Sequence, residues 1–273
     1  MVDMNSIQTI LRNSFAKEIR SKSFFVFSFF TLIVIALMTI GLVLVQEFLT
    51  ENQNIQQMVG GKSIILVYRV VDFWAVFISI VFGISAVQSD LDFMIMPQIL
   101  SHPISRTDYL IGRIGGAWLM VGIYYLLSLF LAITVFSITT GESAFNSSIV
   151  LAFFPSMICC LAIIVLSVFA SLIMARTTAL ISMSFFCFLL TISNAYYLER
   201  GLDGLDGGML AVKAVGLLFH WIFPRIGVMS KISENVVYSS NAEINYLIEL
   251  PHFFLILGFM LFLLNHRFKS RDI

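Results

Sequence analysis

Residues 24–45 form a run of 22 residues without a charged side chain, and this run constrains the fold more than any other feature of the sequence. A helix rises about 1.5 Å per residue, so the run reaches about 33 Å, enough for the hydrocarbon core of a bilayer. Other long apolar runs follow at about residues 64–87, 114–138, 149–175, 179–198 and 244–264. The core of a bilayer contains no water to hydrogen-bond backbone N–H and C=O groups. Each run is therefore expected to form a helix, in which these groups bond to one another. The sequence therefore predicts an all-α membrane protein with six transmembrane helices.

The composition supports a membrane protein and argues against other classes. Of 273 residues, 59% are hydrophobic and 12% charged, whereas soluble domains have about 25% charged residues. The formal net charge is zero, so no basic surface for nucleic acid is indicated. The three cysteines lie inside apolar runs, without the spacing of a disulfide framework or a metal site. We expect a single membrane domain over residues 1–273.

Residues 1–22 precede the first apolar run and predict a separate amphipathic helix. Apolar side chains recur at every fourth position, at Ile7, Leu11, Phe15 and Ile19. The basic residues Arg12, Lys17 and Arg20 lie on other faces. Such a helix is suited to the headgroup plane of a membrane. The alternative is a plain cytosolic tail.

Residues 88–109 form the main polar interruption on the side that charge assigns to the cytoplasm. Asp90 and Asp92 stand among apolar residues, which predicts a short amphipathic helix. A turn bounded by Pro103 follows, and a new helix begins near Arg106. A half-apolar element on the face of a membrane protein is suited to docking. We interpret this segment as the place where another subunit applies force.

Residues 199–243 form a second long interruption, predicted to lie on the external side. Within it, residues 208–227 are apolar but too short between breaks to span a membrane, and they contain Lys213 and His220. We predict a re-entrant or interfacial hairpin that breaks near Pro224. A seventh full span is the alternative.

The distribution of Lys and Arg predicts the orientation of the chain. With six spans, the side that carries the N-terminus has ten of the sixteen basic residues and the opposite side has six. The bias places both termini in the cytoplasm. A seventh span would put the basic tail at Arg267, Lys269 and Arg271 outside, which disfavours that alternative.

No catalytic, cofactor-binding or metal-binding residues are predicted. Gly61, Lys62 and Ser63 resemble the end of a phosphate-binding loop, but the glycine required five positions before Gly61 is Gln56. Ser85 has no identifiable partner histidine at the same membrane depth, as a serine nucleophile would need. Any ATP hydrolysis is therefore expected in another chain.

Three polar residues inside apolar runs are candidates for lining a translocation path. Arg69 and Asp72 are three positions apart, so one helix face can hold them as an ion pair. They line an external vestibule or, alternatively, form a pair that reaches the outer membrane interface. Asn194 in the fifth apolar run is the third candidate.

Small residues open the third apolar run, at Gly112, Gly115 and Gly116. Glycines on one helix face allow another helix backbone to approach closely. We interpret them as a packing surface, with a gating hinge as the alternative.

Three sequence blocks together resemble those of a type-2 ATP-binding-cassette (ABC) permease, the membrane subunit of bacterial exporters of that class. They are KEIRSKSFF before the first span, LSHPISRTDYLIGR between the second and third, and NHRFKSR at the end. The resemblance covers nearly the whole chain, and its most specific element runs from Leu100 to Arg113.

The resemblance implies partners and a location. Two permeases, identical or related, would pair around a central path in the bacterial inner membrane, above two cytosolic ATPase subunits that bind ATP and Mg²⁺. An extracytoplasmic accessory protein is a further candidate partner. The basic residues Arg12, Lys17 and Arg20 would belong to an elbow helix, and the hairpin would cap the path externally. The residues implied to couple to the ATPase are Asp90, Asp92, Leu100, His102, Pro103, Ile104, Ser105 and Arg106.

Two other functions are left open by the sequence. A permease-like subunit could transmit ATPase motion to an extracytoplasmic partner without moving a solute. A membrane-embedded enzyme would need paired polar residues at one depth in different spans. For an exporter, the scarcity of charges in the spans favours an apolar or amphipathic cargo.

Overall fold

The computed structural model describes residues 4–20, 22–50, 63–92, 96, 104–140, 145–200, 210–238 and 244–270. Within these residues the regular structure is entirely helical. The helices, in chain order, are α1 (Met4–Arg20), α2 (Lys22–Thr50), α3 (Ser63–Asp92), α4 (Arg106–Thr140), α5 (Ser147–Ser171), α6 (Arg176–Arg200), α7 (Leu210–Ile222), α8 (Ile226–Tyr238) and α9 (Tyr246–Lys269).

Five of the described helices, α3 to α6 and α9, are long and apolar enough to cross a membrane. The bent pair of α7 and α8 adds a sixth candidate if it is counted as one span. Helix α2 contains a shorter described apolar part, Ser28–Gly41, within its 29 residues. The all-helical class and the multi-pass character predicted from the sequence are therefore confirmed.

One helix boundary differs from the sequence expectation and another agrees with it. Helix α3 continues to Asp92, so Asp90 and Asp92 belong to its last turn and do not begin a new helix. Helix α4 begins at Arg106, where the sequence predicted that a new helix begins. Both helices extend past the apolar runs, because a polar residue in a terminal turn does not stop a helix whose other face is packed.

Helix α5 lies at the centre of the bundle and contacts α3, α4, α6, α8 and α9. Its side chains are buried on most faces, as expected for a helix that is apolar all round. At Gly83 of α3, an added Cβ would lie 2.7 Å from Cβ of Ser167 in α5. The absence of a side chain at Gly83 therefore lets the two backbones approach closely.

Helices α7 and α8 are bent by 73° at a break around Pro224, so the predicted break is confirmed. Helix α7 runs antiparallel to the end of α6, since the hydroxyl of Tyr197 donates to the carbonyl of Lys213 and that of Ser193 to the carbonyl of Gly216. Helix α8 then passes back along α5 and reaches the first turns of α3. Lys213 near the start of α7 and Glu234 near the end of α8 therefore contact ends of α6 and α3 that lie on the same side of the bundle.

Two ends of the bundle can be named from these contacts. We call one of them the Asp90 end. It contains helix α1, the end of α3, the start of α4 and the end of α9. The start of α3, helix α8 and the start of α9 lie towards the opposite end, called the Asp72 end.

Candidate functional site

Asp90 is the centre of a buried polar cluster at the Asp90 end. Its side chain is 0% exposed. The ammonium of Lys17 lies 2.6 Å from Oδ1, the hydroxyl of Tyr109 donates to Oδ2 at 2.6 Å, and the guanidinium of Arg113 pairs with Oδ2. A buried carboxylate is costly unless it is paired and hydrogen-bonded. These three partners come from α1 and α4, so one carboxylate at the end of α3 joins three helices.

The approach of α1 to α4 depends on the glycines of α4. An added Cβ at Gly112 would lie 2.8 Å from Cγ2 of Ile10, and one at Gly116 would lie 2.7 Å from Cβ of Ser14. Arg113, between these glycines, also donates to the hydroxyl of Ser14 at 3.1 Å. The prediction that these glycines form a packing surface is therefore confirmed, with α1 as the packed helix.

The end of α9 joins the same cluster of helix ends. The ring of Phe268 stacks on Tyr109 at a centroid distance of 5.8 Å. Thr107 donates to the side-chain oxygen of Asn265 at 3.0 Å, and Arg106 donates to the carbonyl of Lys269 at 3.1 Å. The last helix is thus attached to the first turn of α4 beside Asp90.

The structure describes the predicted coupling residues that lie before and after the segment 93–103. Asp92 is exposed at the end of α3, two residues after the buried Asp90. Ser105 precedes α4, and its hydroxyl accepts the backbone N–H of Asp108 at 3.1 Å, as an N-cap side chain does. Ile104 is half-buried. The residues Leu100, His102 and Pro103 lie outside the described residues.

The predicted basic residues of α1 occupy different environments. Lys17 is 36% exposed and reaches Asp90, whereas Arg12 is exposed. Arg20 ends the helix, and only its backbone is described. Sequence reasoning did not single out Arg113 or Tyr109. Their spacing of four positions on one face of α4, beside a helix that ends in an acidic turn, is the signal that could have identified them.

A second polar network lies towards the Asp72 end. The carboxylate of Asp72 accepts the hydroxyl of Tyr125 at 3.0 Å and that of Ser230 at 3.2 Å. From Tyr125 the hydrogen bonds continue to Tyr68 at 3.1 Å and then to Ser156 at 2.9 Å. The network extends further, from Ser156 to Ser233 at 3.0 Å. It therefore links α3, α4, α5 and α8 through buried hydroxyl groups.

The structure gives Arg69 and Asp72 partners on α8. Arg69 makes a bidentate ion pair with Glu234 at 2.8 and 2.9 Å, in an exposed position. Asp72 faces Ser230, one helical turn before Glu234. The sequence expectation of an ion pair within α3 considered only neighbours on one helix, and it missed Glu234.

A buried ion pair joins the hairpin to the last helix. Nη1 of Arg225 lies 2.7 Å from both carboxylate oxygens of Glu249, and Arg225 is 2% exposed. The guanidinium also stands over the ring of Trp221 at 4.6 Å. Sequence reasoning missed this pair. The sequence did contain a sign of this pair. Two opposite charges occur inside neighbouring apolar segments, where charges are normally paired.

Asn194 is buried between α6 and the hairpin, at 1% exposure. Its side-chain oxygen lies 3.0 Å from Nδ1 of His220, and its Cβ would be 2.9 Å from a Cβ at Gly227. It is not brought together with Arg69 and Asp72, which face α8 from α3. Within the described residues, no group of three or more His, Cys, Asp and Glu side chains is arranged to hold a metal ion.

Comparison with known proteins identifies one family. Residues 8–202 match the family model described as ABC-2 family transporter protein. This range covers most of the chain, from α1 to the end of α6, and therefore includes the Asp90 cluster. No curated protein matches the sequence.

Proposed function

We propose, from the premise that this chain belongs to the ABC-2 family of transporter proteins, that it is the permease subunit of an ATP-driven exporter. It would occupy the bacterial inner membrane with both termini in the cytoplasm. It would hydrolyse no ATP itself and would form the translocation path with a second permease copy. Two copies of a separate cytosolic ABC ATPase, each binding ATP and Mg²⁺, would drive it.

The buried carboxylate of Asp90 is the single observation that best supports a coupling role. The segment 93–103 leaves α3 just after Asp90 and enters α4 just before Tyr109 and Arg113. A force on this segment therefore acts on both helix ends. Since Asp90 is also paired with Lys17, the force would reach α1 as well, and the three elements would move together.

The contacting surface is expected to come from the residues around this cluster, because Asp90 itself is fully buried. Asp92 is exposed. Directly before α4, Ser105 is exposed and Ile104 is half-buried. The residues Leu100, His102 and Pro103 complete the proposed ATPase contact.

ATP hydrolysis by the reconstituted complex tests the coupling role. The permease is purified with the ABC ATPase that it retains, and residues 103–106 are replaced by glycine and serine. We expect permease-dependent stimulation of ATP hydrolysis to be lost. The control replaces residues 143–146 in the same way, in the connection between α4 and α5, and stimulation should remain. Retained stimulation in the first variant would contradict the coupling assignment.

Labelling in intact cells tests the orientation. Ser105→Cys places a thiol before α4 at the Asp90 end, and Ser147→Cys places one at the exposed start of α5. A maleimide that cannot cross the bilayer should label the second variant and leave the first unlabelled. The native thiols Cys159, Cys160 and Cys187 are buried, so background labelling should be low. Labelling of the first variant from outside would overturn the topology.

A further inference from the structure

Asp72 and Asp90 are two carboxyl groups on the same helix, α3, with different kinds of partner. Asp90 is paired with two cations. Asp72 is instead contacted by two hydroxyl groups, that of Tyr125 at 3.0 Å and that of Ser230 at 3.2 Å. Among the described residues, no basic side chain makes an ion pair with Asp72. Asp72 is therefore a hydrogen-bonded carboxyl group without a cation.

The position of Asp72 makes a negative charge costly. Its side chain is half-buried in a helix that is long and apolar enough to span a membrane. Arg69, three positions earlier, contacts both carboxylate oxygens of Glu234, so the charge of Arg69 is already matched by an anion. A charge inside a membrane helix is costly unless it is paired. Protonation of Asp72 would remove this cost, because it makes the carboxyl group neutral.

A chain of hydrogen bonds leads from Asp72 into the bundle and has room for one more hydrogen. The chain has five contacts, but each hydroxyl group carries only one hydrogen, so its four hydroxyls supply four. If Asp72 is ionised, one contact is left without a hydrogen. A hydrogen on Asp72 fills all five. The chain runs from Asp72 through the hydroxyls of Tyr125, Tyr68, Ser156 and Ser233 to the carbonyl of Met229.

The directions of these bonds agree with a hydrogen on Asp72. Ser156 donates to Ser233, which donates to the carbonyl at the end of the chain. Because this part of the chain points away from the carboxyl group, each tyrosine can donate in the same direction. The oxygen of Tyr125 is then available to accept a hydrogen from Oδ1 of Asp72. The other carboxyl oxygen, Oδ2, still accepts the hydroxyl of Ser230.

The charged and titratable groups around Asp72 supply no net positive charge. Arg69 and Glu234 compensate each other. The remaining groups are phenols and thiols, which are neutral when protonated and never carry a positive charge. They are Tyr68 on α3, Tyr125 on α4, and Cys159 and Cys160 on α5.

We propose that Asp72 is a proton-binding site and carries a proton on Oδ1 at neutral pH. The proton is donated to the oxygen of Tyr125, and the hydrogen bonds beyond it point towards α8. Because Asp72 is half-buried, a proton can reach it from the Asp72 end. When the proton leaves, the hydroxyl groups of the chain turn and donate towards the carboxylate. Carboxyl groups inside membrane helices are typical places for proton uptake and release.

Infrared spectroscopy of the purified full-length chain at neutral pH tests this site. The C=O stretch of a protonated carboxyl group is well separated from the bands of a carboxylate. The spectrum of the unmodified protein minus that of Asp72→Asn should contain a protonated carboxyl band that shifts in heavy water. The matched control is Glu234→Gln, which removes an ion-paired carboxylate and should remove only carboxylate bands. The proposal is wrong if the Asp72 difference spectrum has carboxylate bands instead.

A second variant tests which oxygen carries the proton. With the proton on Oδ1, the C=O group is formed by Oδ2, which accepts the hydroxyl of Ser230. Loss of that hydrogen bond in Ser230→Ala should move the Asp72 band to a higher wavenumber. Ser182→Ala on α6, whose hydroxyl bonds within its own helix, should leave the band unchanged. A band that does not move in Ser230→Ala would contradict this placement of the proton.

Thermal unfolding gives an independent criterion. The amide of Asp72→Asn offers an N–H group to Tyr125 and an oxygen to Ser230, so it resembles the protonated carboxyl group. Its Tm at neutral pH should be nearly that of the unmodified protein, whereas Asp72→Leu should have a lower Tm. A clear loss of stability in Asp72→Asn would show that the negative charge is needed, and the proposal would be wrong. Because the ATPase is absent from these measurements, their failure would leave the proposed coupling role unaffected.

Discussion

Lys17 of the N-terminal helix lies 2.6 Å from the carboxylate of Asp90, 73 positions later in the chain. The two side chains differ in environment, because Lys17 is 36% exposed and Asp90 is 0% exposed. On the other side of the carboxylate, Arg113 is 8% exposed. The carboxylate of Asp90 therefore pairs with two cations, of which one is partly exposed to water and the other is buried. This difference determines what each substitution should do.

Replacing Asp90 by Asn should destabilise the protein strongly. The amide keeps the shape of the side chain but leaves the buried guanidinium of Arg113 without its carboxylate. Removing one partner of a buried ion pair costs about 3–5 kcal/mol. Thermal unfolding of the purified protein in detergent should show a clearly lower Tm. Asp92→Asn is the control, since Asp92 is exposed in the same helical turn, and its unfolding should be nearly unchanged. Equal unfolding of both variants would contradict the central position of Asp90.

Replacing Lys17 by Met should have a smaller effect that depends on Asp90. A half-exposed ion pair is screened by water and is worth about 1 kcal/mol or less. In the Asp90→Asn background, Lys17→Met should add little further destabilisation, because the carboxylate that it pairs with is gone. A double-mutant cycle on Tm or on denaturant unfolding measures this coupling. Strictly additive effects would show that Lys17 acts through other contacts.

The glycines of α4 predict which substitutions separate α1 from α4. Gly116→Ala would place a Cβ 2.7 Å from Cβ of Ser14, so the helices must move apart. Overpacking of this kind costs about 1–3 kcal/mol. At Gly115 the added Cβ would meet Cδ1 of Leu11 at 3.3 Å, and this side chain can rotate away.

Hydrogen exchange distinguishes these two substitutions. The amides of α1 should exchange faster in Gly116→Ala than in the unmodified protein. They should be nearly unchanged in Gly115→Ala, which also gains helix propensity. If the amides of α1 exchange at the same rate in both variants, close contact between the two backbones is not what keeps α1 packed against α4.

Much of the fold could be predicted because one physical requirement dominates in a bilayer. Long apolar runs predicted the membrane helices, Pro224 predicted the break in the hairpin, and the glycines of α4 predicted a packed face. Each of these features acts through nearby residues or through the solvent. The match of residues 8–202 confirms the family that the resemblance indicated.

The partners of the buried charges could not be predicted in the same way. Arg69 and Glu234 are 165 positions apart, and a charge in an apolar helix requires compensation without specifying which residue supplies it. Asp90 shows the same limit. Its polar character indicated an exposed docking element, whereas the contacts of Lys17, Tyr109 and Arg113 bury it.

The hairpin offers a comparison between a buried and an exposed ion pair. Arg225→Met removes the cation that is 2% exposed and leaves Glu249 inside the protein without it. We expect destabilisation of about 3–5 kcal/mol, with a lower Tm and faster hydrogen exchange in α7 and α8. Arg69→Met is the matched control, because Arg69 also contacts both carboxylate oxygens of its partner but its side chain is 55% exposed. Its effect should be about 1 kcal/mol or less.

The double variant Arg225→Met with Glu249→Gln separates loss of the ion pair from loss of packing. With both charges removed, no carboxylate is left without its cation, so part of the stability lost in Arg225→Met should return. Salt gives a second criterion, since an exposed pair is screened more than a buried one. Added salt should therefore reduce the difference between Arg69→Met and the unmodified protein, and it should change that of Arg225→Met little. If Arg225→Met and Arg69→Met destabilise equally, burial does not determine the strength of these two contacts.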